Sequence, residues 1–180
     1  MNCLPNLLLI SGSGRKSGKT TLACAIIKQF ASQMKIAGLK ISPYVHHGYE
    51  NLFPVFDNSL FKIFRETSLT SAKDSSKMLA AGASEAFYIE ASDKYLSKAF
   101  QEFQKLIPSG APIICESPAL KKNVEPGVFL FLTGPQTLKP KTHVENILPL
   151  ADKAVGLEEA MKPKFLSSIR YENSGWLLQP

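Results

Sequence analysis

Residues 13–20 read Ser-Gly-Arg-Lys-Ser-Gly-Lys-Thr, directly after the apolar run Leu7-Leu8-Leu9-Ile10. A glycine-rich turn lets consecutive backbone N–H groups face an anion, and a following helix N-terminus adds unpaired donors and a positive dipole end. Ser13, Gly14, Arg15, Lys16, Ser17, Gly18, Lys19, Thr20 and Thr21 are therefore candidate phosphate contacts. In such a loop the lysine reaches the β- and γ-phosphates and the hydroxyl after it ligates Mg²⁺. Those roles fall to Lys19 and Thr20, and Thr21 is a candidate contact for an α-phosphate or a plain second-turn threonine. The usual pattern begins with glycine where this chain has Ser13, although Gly12 and Gly14 flank it. Arg15 and Lys16 are candidates for charge stabilisation over the phosphates, or are solvated loop-tip residues.

A Mg²⁺–nucleotide site also needs a carboxylate near the metal. Glu116 ends the apolar run Pro112-Ile113-Ile114-Cys115, and Asp74 precedes a helical pattern. These two join Thr20 as candidate metal ligands, and Lys19, Asp74 and Glu116 are the candidate catalytic residues. Asp74 has a second reading as a helix N-cap. Asp57 and Glu50 have weaker credentials, lying in an irregular stretch. His46-His47 lacks the accompanying ligands of a metal site.

These residues need elements to hold them. Residues 7–10 read as a buried strand, and Leu22, Ala23, Ile26, Ile27, Phe30 and Ala31 recur at helical spacing. Residues 36–41, 86–89, 112–115 and 127–132 read as strands; 74–83, 95–106 and 144–150 read as helices. Residues 154–155 and 176–178 read as short strands. Residues 42–72 are expected to be irregular, broken by Pro43, Gly48 and Pro54, with 60–64 a short helix or strand. That stretch is the expected substrate or lid segment. Alternating strands and helices predict an α/β fold: a three-layer sandwich with a mostly parallel sheet, the P-loop NTPase fold, formed by a single nucleotide-binding domain over 1–180. Ligands of such sheets bind at the carboxyl ends of strands. The glycine-rich loop, Lys40, Glu116 and the turn after Leu132 all fall there.

With 180 residues, 44% of them hydrophobic and 20% charged, the chain has the composition of a globular protein. Its net charge of +6 suits a polyphosphate or an acidic partner. Basic residues do not cluster with aromatics, which disfavours nucleic acid. Cys3, Cys24 and Cys115 have the spacing of neither a disulfide framework nor a metal site. The N-terminal run flows into the loop as a strand rather than a leader, and no segment approaches a membrane span, so the expected location is cytoplasmic.

The arrangement resembles the MobB family of P-loop proteins, linked to molybdopterin guanine dinucleotide (molybdenum cofactor) biosynthesis. The likeness is carried by residues 11–22, by Gly38-Leu39-Lys40 with the downstream histidines, by Lys73 to Ala83, and by Ile114 to Ser117 followed by Pro126 to Leu130. The resemblance implies an accessory protein that binds GTP or ATP with Mg²⁺, hydrolyses it slowly, forms a homodimer, and works beside molybdopterin guanylyltransferase. It supports Gly18, Lys19 and Thr20 as phosphate and Mg²⁺ contacts, and Asp74 and Glu116 as site acids. The chain departs from the family at Ser13, at Ile41 where a histidine follows the second-strand lysine, and at Ser117-Pro118. Two alternatives stand beside this expectation. One is a small-molecule kinase or ligase similar to dethiobiotin synthetase. The other is a nucleotide sensor that does not hydrolyse.

Overall fold

The computed structural model describes residues 2–14, 16–43, 49–134 and 142–179, with the side chains of 142–144 excepted. Arg15 and the pair His46-His47 lie outside the described residues. The elements run in the order β1 (Asn2–Gly12), α1 (Lys19–Phe30), β2 (Ala37–Ser42), β3 (Leu52–Asp57), β4 (Phe61–Glu66), α2 (Asp74–Ala80), β5 (Glu85–Ala91) and α3 (Leu96–Gln104). They continue with β6 (Ile113–Glu116), β7 (Val124–Thr133), α4 (Thr142–Ile147), β8 (Lys153–Gly156), α5 (Leu157–Ala160), α6 (Pro163–Ser168), β9 (Ile169–Glu172) and β10 (Gly175–Leu178).

Eight strands form one sheet in the order β3-β4-β5-β2-β6-β1-β7-β8. The run from β5 to β8 is parallel, and the β3–β4 hairpin closes one edge in antiparallel pairing. Period two in the strands divides the core. Leu7 and Leu9 of β1 face a cluster with Phe100 and Phe103 of α3. Leu8 and Ile10 face the opposite cluster, with Leu22, Ile26 and Phe30 of α1 and Met78 of α2. Both sheet faces are therefore covered by helices, and the strands are apolar on both sides, as a buried parallel sheet requires. Each large apolar side chain so buried contributes about 1.5–3 kcal/mol.

The structure corrects the reading of residues 42–72. Its later part is the β3–β4 hairpin; residues 61–64 lie in β4, the strand alternative, and Leu60 precedes it. Pro54 does not end β3, because an edge strand can spare the N–H that proline lacks; the pairing shifts register between Pro54 and Phe56. The C-terminal strand reading holds. Trp176-Leu177-Leu178 pairs with β9 in a separate two-stranded sheet. That hairpin is pinned to β1 by Trp176, whose indole N–H donates to the Asn6 carbonyl at 3.0 Å and whose ring meets Phe30 edge-on at 5.2 Å.

Two connections position the functional end of the sheet. Gly38 of β2 lets α2 approach closely, since a Cβ there would lie 3.1 Å from the Met78 Cβ. Residues 117–123 join β6 to β7 across one face of β1, with Ala119 and Leu120 buried beside Leu7, Leu9 and Phe129. This crossover holds only a 3₁₀ turn, Leu120–Lys122. Parallel crossovers usually take about a dozen residues or more.

Candidate functional site

The loop between β1 and α1 is built by the residues that the sequence singles out. Gly18 adopts φ +91° and forms the N-cap position of α1, where an L side chain would be strained. The side of the glycine that a Cβ would fill is already taken by the Leu157 isobutyl group, 2.5–2.8 Å from that position. Ser13 anchors the other end of the loop. Its N–H donates to the Leu132 carbonyl at 3.0 Å, and its hydroxyl accepts from the Gly134 N–H at 2.7 Å. The residue that breaks the usual glycine pattern thus ties the loop to the end of β7.

Lys19 turns back over this loop. Its ammonium donates to the Gly14 carbonyl at 2.6 Å and to the Ser17 hydroxyl at 3.0 Å, and the Ser17 hydroxyl itself donates to Gly14 at 3.2 Å. Burial lowers the Lys19 pKa and Lys40 lowers it further, while Glu116 and Asp74 oppose the shift. A cation held by neutral acceptors and partly desolvated is primed to gain from an arriving anion. Lys16 is exposed at the loop tip with φ +63°, and Thr21 is exposed on α1.

Glu116, Lys40, Asp74 and Thr20 meet at the carboxyl ends of β6 and β2. Glu116 is 2% exposed. One of its carboxylate oxygens accepts from the Thr20 hydroxyl at 2.6 Å, the other from the Lys40 ammonium at 2.5 Å. Lys40 also lies 3.0 Å from Asp74 Oδ2, and Lys77 stands 3.5 Å from Asp74 Oδ1. Burial alone would lower the Lys40 pKa, but the charges of Glu116 and Asp74 and their hydrogen bonds outweigh it and raise it. Burial would likewise raise Asp74, yet Lys40 first and Lys77 after it bring it below its ordinary value.

The structure thus brings Thr20, Asp74 and Glu116 to one place, with Lys19 on the loop beside them. Asp74 is not the N-cap of α2; that position belongs to Lys73. Its placement is fixed from β4. Buried Glu66 accepts from the Ser75 hydroxyl at 2.7 Å and from the Thr67 and Ser68 N–H groups at 3.1 and 2.9 Å. Asp57 is instead an exposed partner of Lys62 at 3.5 Å, and Glu50 lies in an exposed turn.

Protein-family models, curated proteins and solved structures all gave no match to this chain. The family resemblance therefore stands on the motif residues that carry it.

Sequence reasoning placed Lys40 at the right end of the sheet but gave it no function. Its signal was a lone cation in the apolar run 36–41, level with Glu116 on the next strand in the pairing register. A second polar group went unnoticed on the neighbouring strand. Glu90, 5% exposed, accepts from the Tyr49 hydroxyl at 2.9 Å and the Tyr88 hydroxyl at 3.2 Å. Tyr88 pairs in register with Lys40, and Ser42 with Glu90.

The donor set at Thr20, Asp74 and Glu116 is all oxygen, which suits a hard divalent cation. Among the described residues no group of three or more His, Cys, Asp or Glu gathers to hold a metal ion. Mg²⁺ does not need one, since it commonly takes one or two carboxylates and completes its shell with phosphate oxygens and water.

Proposed function

We propose that this chain has the P-loop NTPase fold, binds a nucleoside triphosphate, GTP or ATP, with Mg²⁺, and hydrolyses it slowly. One observation carries the reading: the loop bearing Lys19 and Thr20 opens beside a buried acid, Glu116, at the carboxyl end of the adjacent parallel strand. The loop N–H groups and Lys19 bind the phosphates. Thr20, Glu116 and Asp74 would hold Mg²⁺, which supplies charge neutralisation at the β- and γ-oxygens. Glu116 keeps the Thr20 hydroxyl aimed by accepting its proton.

Hydrolysis by the chain alone is expected at ~1 s⁻¹ or less, because a lone loop of this kind lacks a water-positioning group and a cation supplied across an interface. The MobB-like stretches extend the proposal to a homodimeric accessory protein of molybdopterin guanylyltransferase. A second reading, an acceptor-dependent kinase or ligase, is favoured by Glu90 and its tyrosines, one strand away from Lys40.

Calorimetry with GTP and ATP, with and without Mg²⁺, tests the reading. Lys19→Ala is expected to cost about 2–4 kcal/mol of binding, the scale of removing one partner of a desolvated charge pair. Binding equal to wild type would overturn it. Phosphate release separates the variants of the proposal. Acceleration by the guanylyltransferase supports the accessory function, acceleration by a small acceptor supports the kinase or ligase, and tight binding without turnover supports a sensor.

A further inference from the structure

Lys40 occupies the point on which the site's acids converge. Its ammonium is 2.5 Å from Glu116 Oε1 and 3.0 Å from Asp74 Oδ2, so a single cation bridges the two carboxylates. Glu116 is buried, and Lys40 is the cation paired with it. We infer that Lys40 is a built-in counter-ion that holds the place of the divalent cation in the free protein and releases the acids only when a polyphosphate arrives. The inference rests on the proposed Mg²⁺–nucleotide reading and says how loading of that site is ordered.

Three observations lead to it. First, among the described residues the site gathers two carboxylates and one hydroxyl, and both carboxylates are already engaged by Lys40. A free divalent ion would have to share them with a fixed ammonium of like charge. Second, the Lys40 and Lys19 ammoniums repel each other, each anchored at the same end of the sheet. An arriving polyphosphate would offset that repulsion. It also offers Lys40 a new anionic partner. Third, the same polyphosphate brings the oxygens that the protein's donor set lacks for a complete metal shell. Metal and nucleotide should therefore bind with strong positive coupling, and the coupling is reciprocal.

Mn²⁺ titrated against the free protein, followed by the electron paramagnetic resonance signal of the unbound ion, reads this directly. Free wild-type protein is expected to bind Mn²⁺ no tighter than ~1 mM, and GTP or ATP to bring the ion in. Lys40→Met, which keeps an apolar stem and removes the charge, is expected to bind Mn²⁺ alone about tenfold tighter or more. Adding Glu116→Gln should abolish that gain, and Lys40→Arg should keep the metal out. The coupling between Mn²⁺ and nucleotide should shrink in Lys40→Met. Equal nucleotide-free Mn²⁺ affinity in wild type and a folded Lys40→Met would overturn the inference. Should circular dichroism show that Lys40→Met does not fold, the wild-type arm decides. Tight Mn²⁺ binding by the free wild-type protein, below ~100 μM, would refute a counter-ion that excludes it. If wild-type protein binds no triphosphate at all, the proposed function and the release step fall together. The nucleotide-free comparison still reports whether Lys40 keeps a cation off the acids.

Discussion

Glu116→Gln removes one charge from the ionic cluster of Lys40, Asp74 and Glu116 and leaves the shape nearly unchanged. In the native site the carboxylate takes a proton donor on each oxygen, Thr20 at 2.6 Å and Lys40 at 2.5 Å. An amide can serve only one of them as acceptor. If its oxygen stays with Lys40, its NH₂ meets the Thr20 hydroxyl, which must rotate to accept. The Coulomb attraction of unit charges at that 2.5 Å separation, with an effective dielectric of 20, is roughly 7 kcal/mol. Breaking a buried pair by losing one partner costs about 3–5 kcal/mol. Lys40 keeps Asp74 and its side chain is 20% exposed, so the lower end applies, about 3 kcal/mol. The variant also deprives Lys40 of the main influence that raises its pKa against burial. Urea unfolding at neutral pH measures the effect as a fall in midpoint with an unchanged slope. A loss under about 0.5 kcal/mol, the range of an ordinary surface substitution, would refute the view that this buried pair contributes to stability.

Other consequences follow from the same geometry. The Asp74 carboxyl lies below its ordinary value of 3.8 in the folded protein, so its contribution to stability is present above that pH and is lost as pH falls through the folded value. The melting-temperature gap between wild type and Asp74→Asn should therefore close on acidification below that range; a gap that stays constant with pH would contradict the assignment. Gly18→Ala should cost about 2–4 kcal/mol, from the left-handed backbone and from displacing Leu157. In a double-mutant cycle Leu157→Ala should recover part of that loss, and strict additivity would show that the two do not touch.

The parts of the fold that were readable in the sequence are those with long, strongly periodic patterns. Leu7 to Ile10 and Leu22 to Phe30 announce β1 and α1 because each buries a face whose period the residues repeat. The positions of Thr20, Asp74 and Glu116 at element ends were readable for a related reason: a strand end and a helix start are local events. What failed was non-local or short. The β3–β4 hairpin was hidden by Pro54, whose tolerance depends on its being at an edge, a property of the whole sheet. Helices α5 and α6 are too short to display a period. The turn between β9 and β10 did leave a signal: Asn173-Ser174 take φ +50° and +62°, as a two-residue hairpin loop requires, and the sequence Asn-Ser-Gly suits it. The bridging by Lys40 could not be read at all, because it depends on β2 lying beside β6 and on α2 approaching over Gly38.

The crossover from Glu116 to Val124 acts as a ruler. Glu116 and Leu130 both stand level with Ile10 of β1, so the chain must travel back from that level to the start of β7 and pass across β1 on the way. That path is roughly 22 Å at the usual strand rise and spacing, against about 27 Å available to the same residues fully extended. The 3₁₀ turn at Leu120–Lys122 takes up much of the difference. Removing a residue here would drag the acid away from Thr20, and adding one would let it drift. The interval between this glutamate and the strand after it is thus fixed by geometry. Distant kin of this chain should be recognisable by that interval, paired with a glycine-lysine-threonine turn, even where little else of the sequence survives.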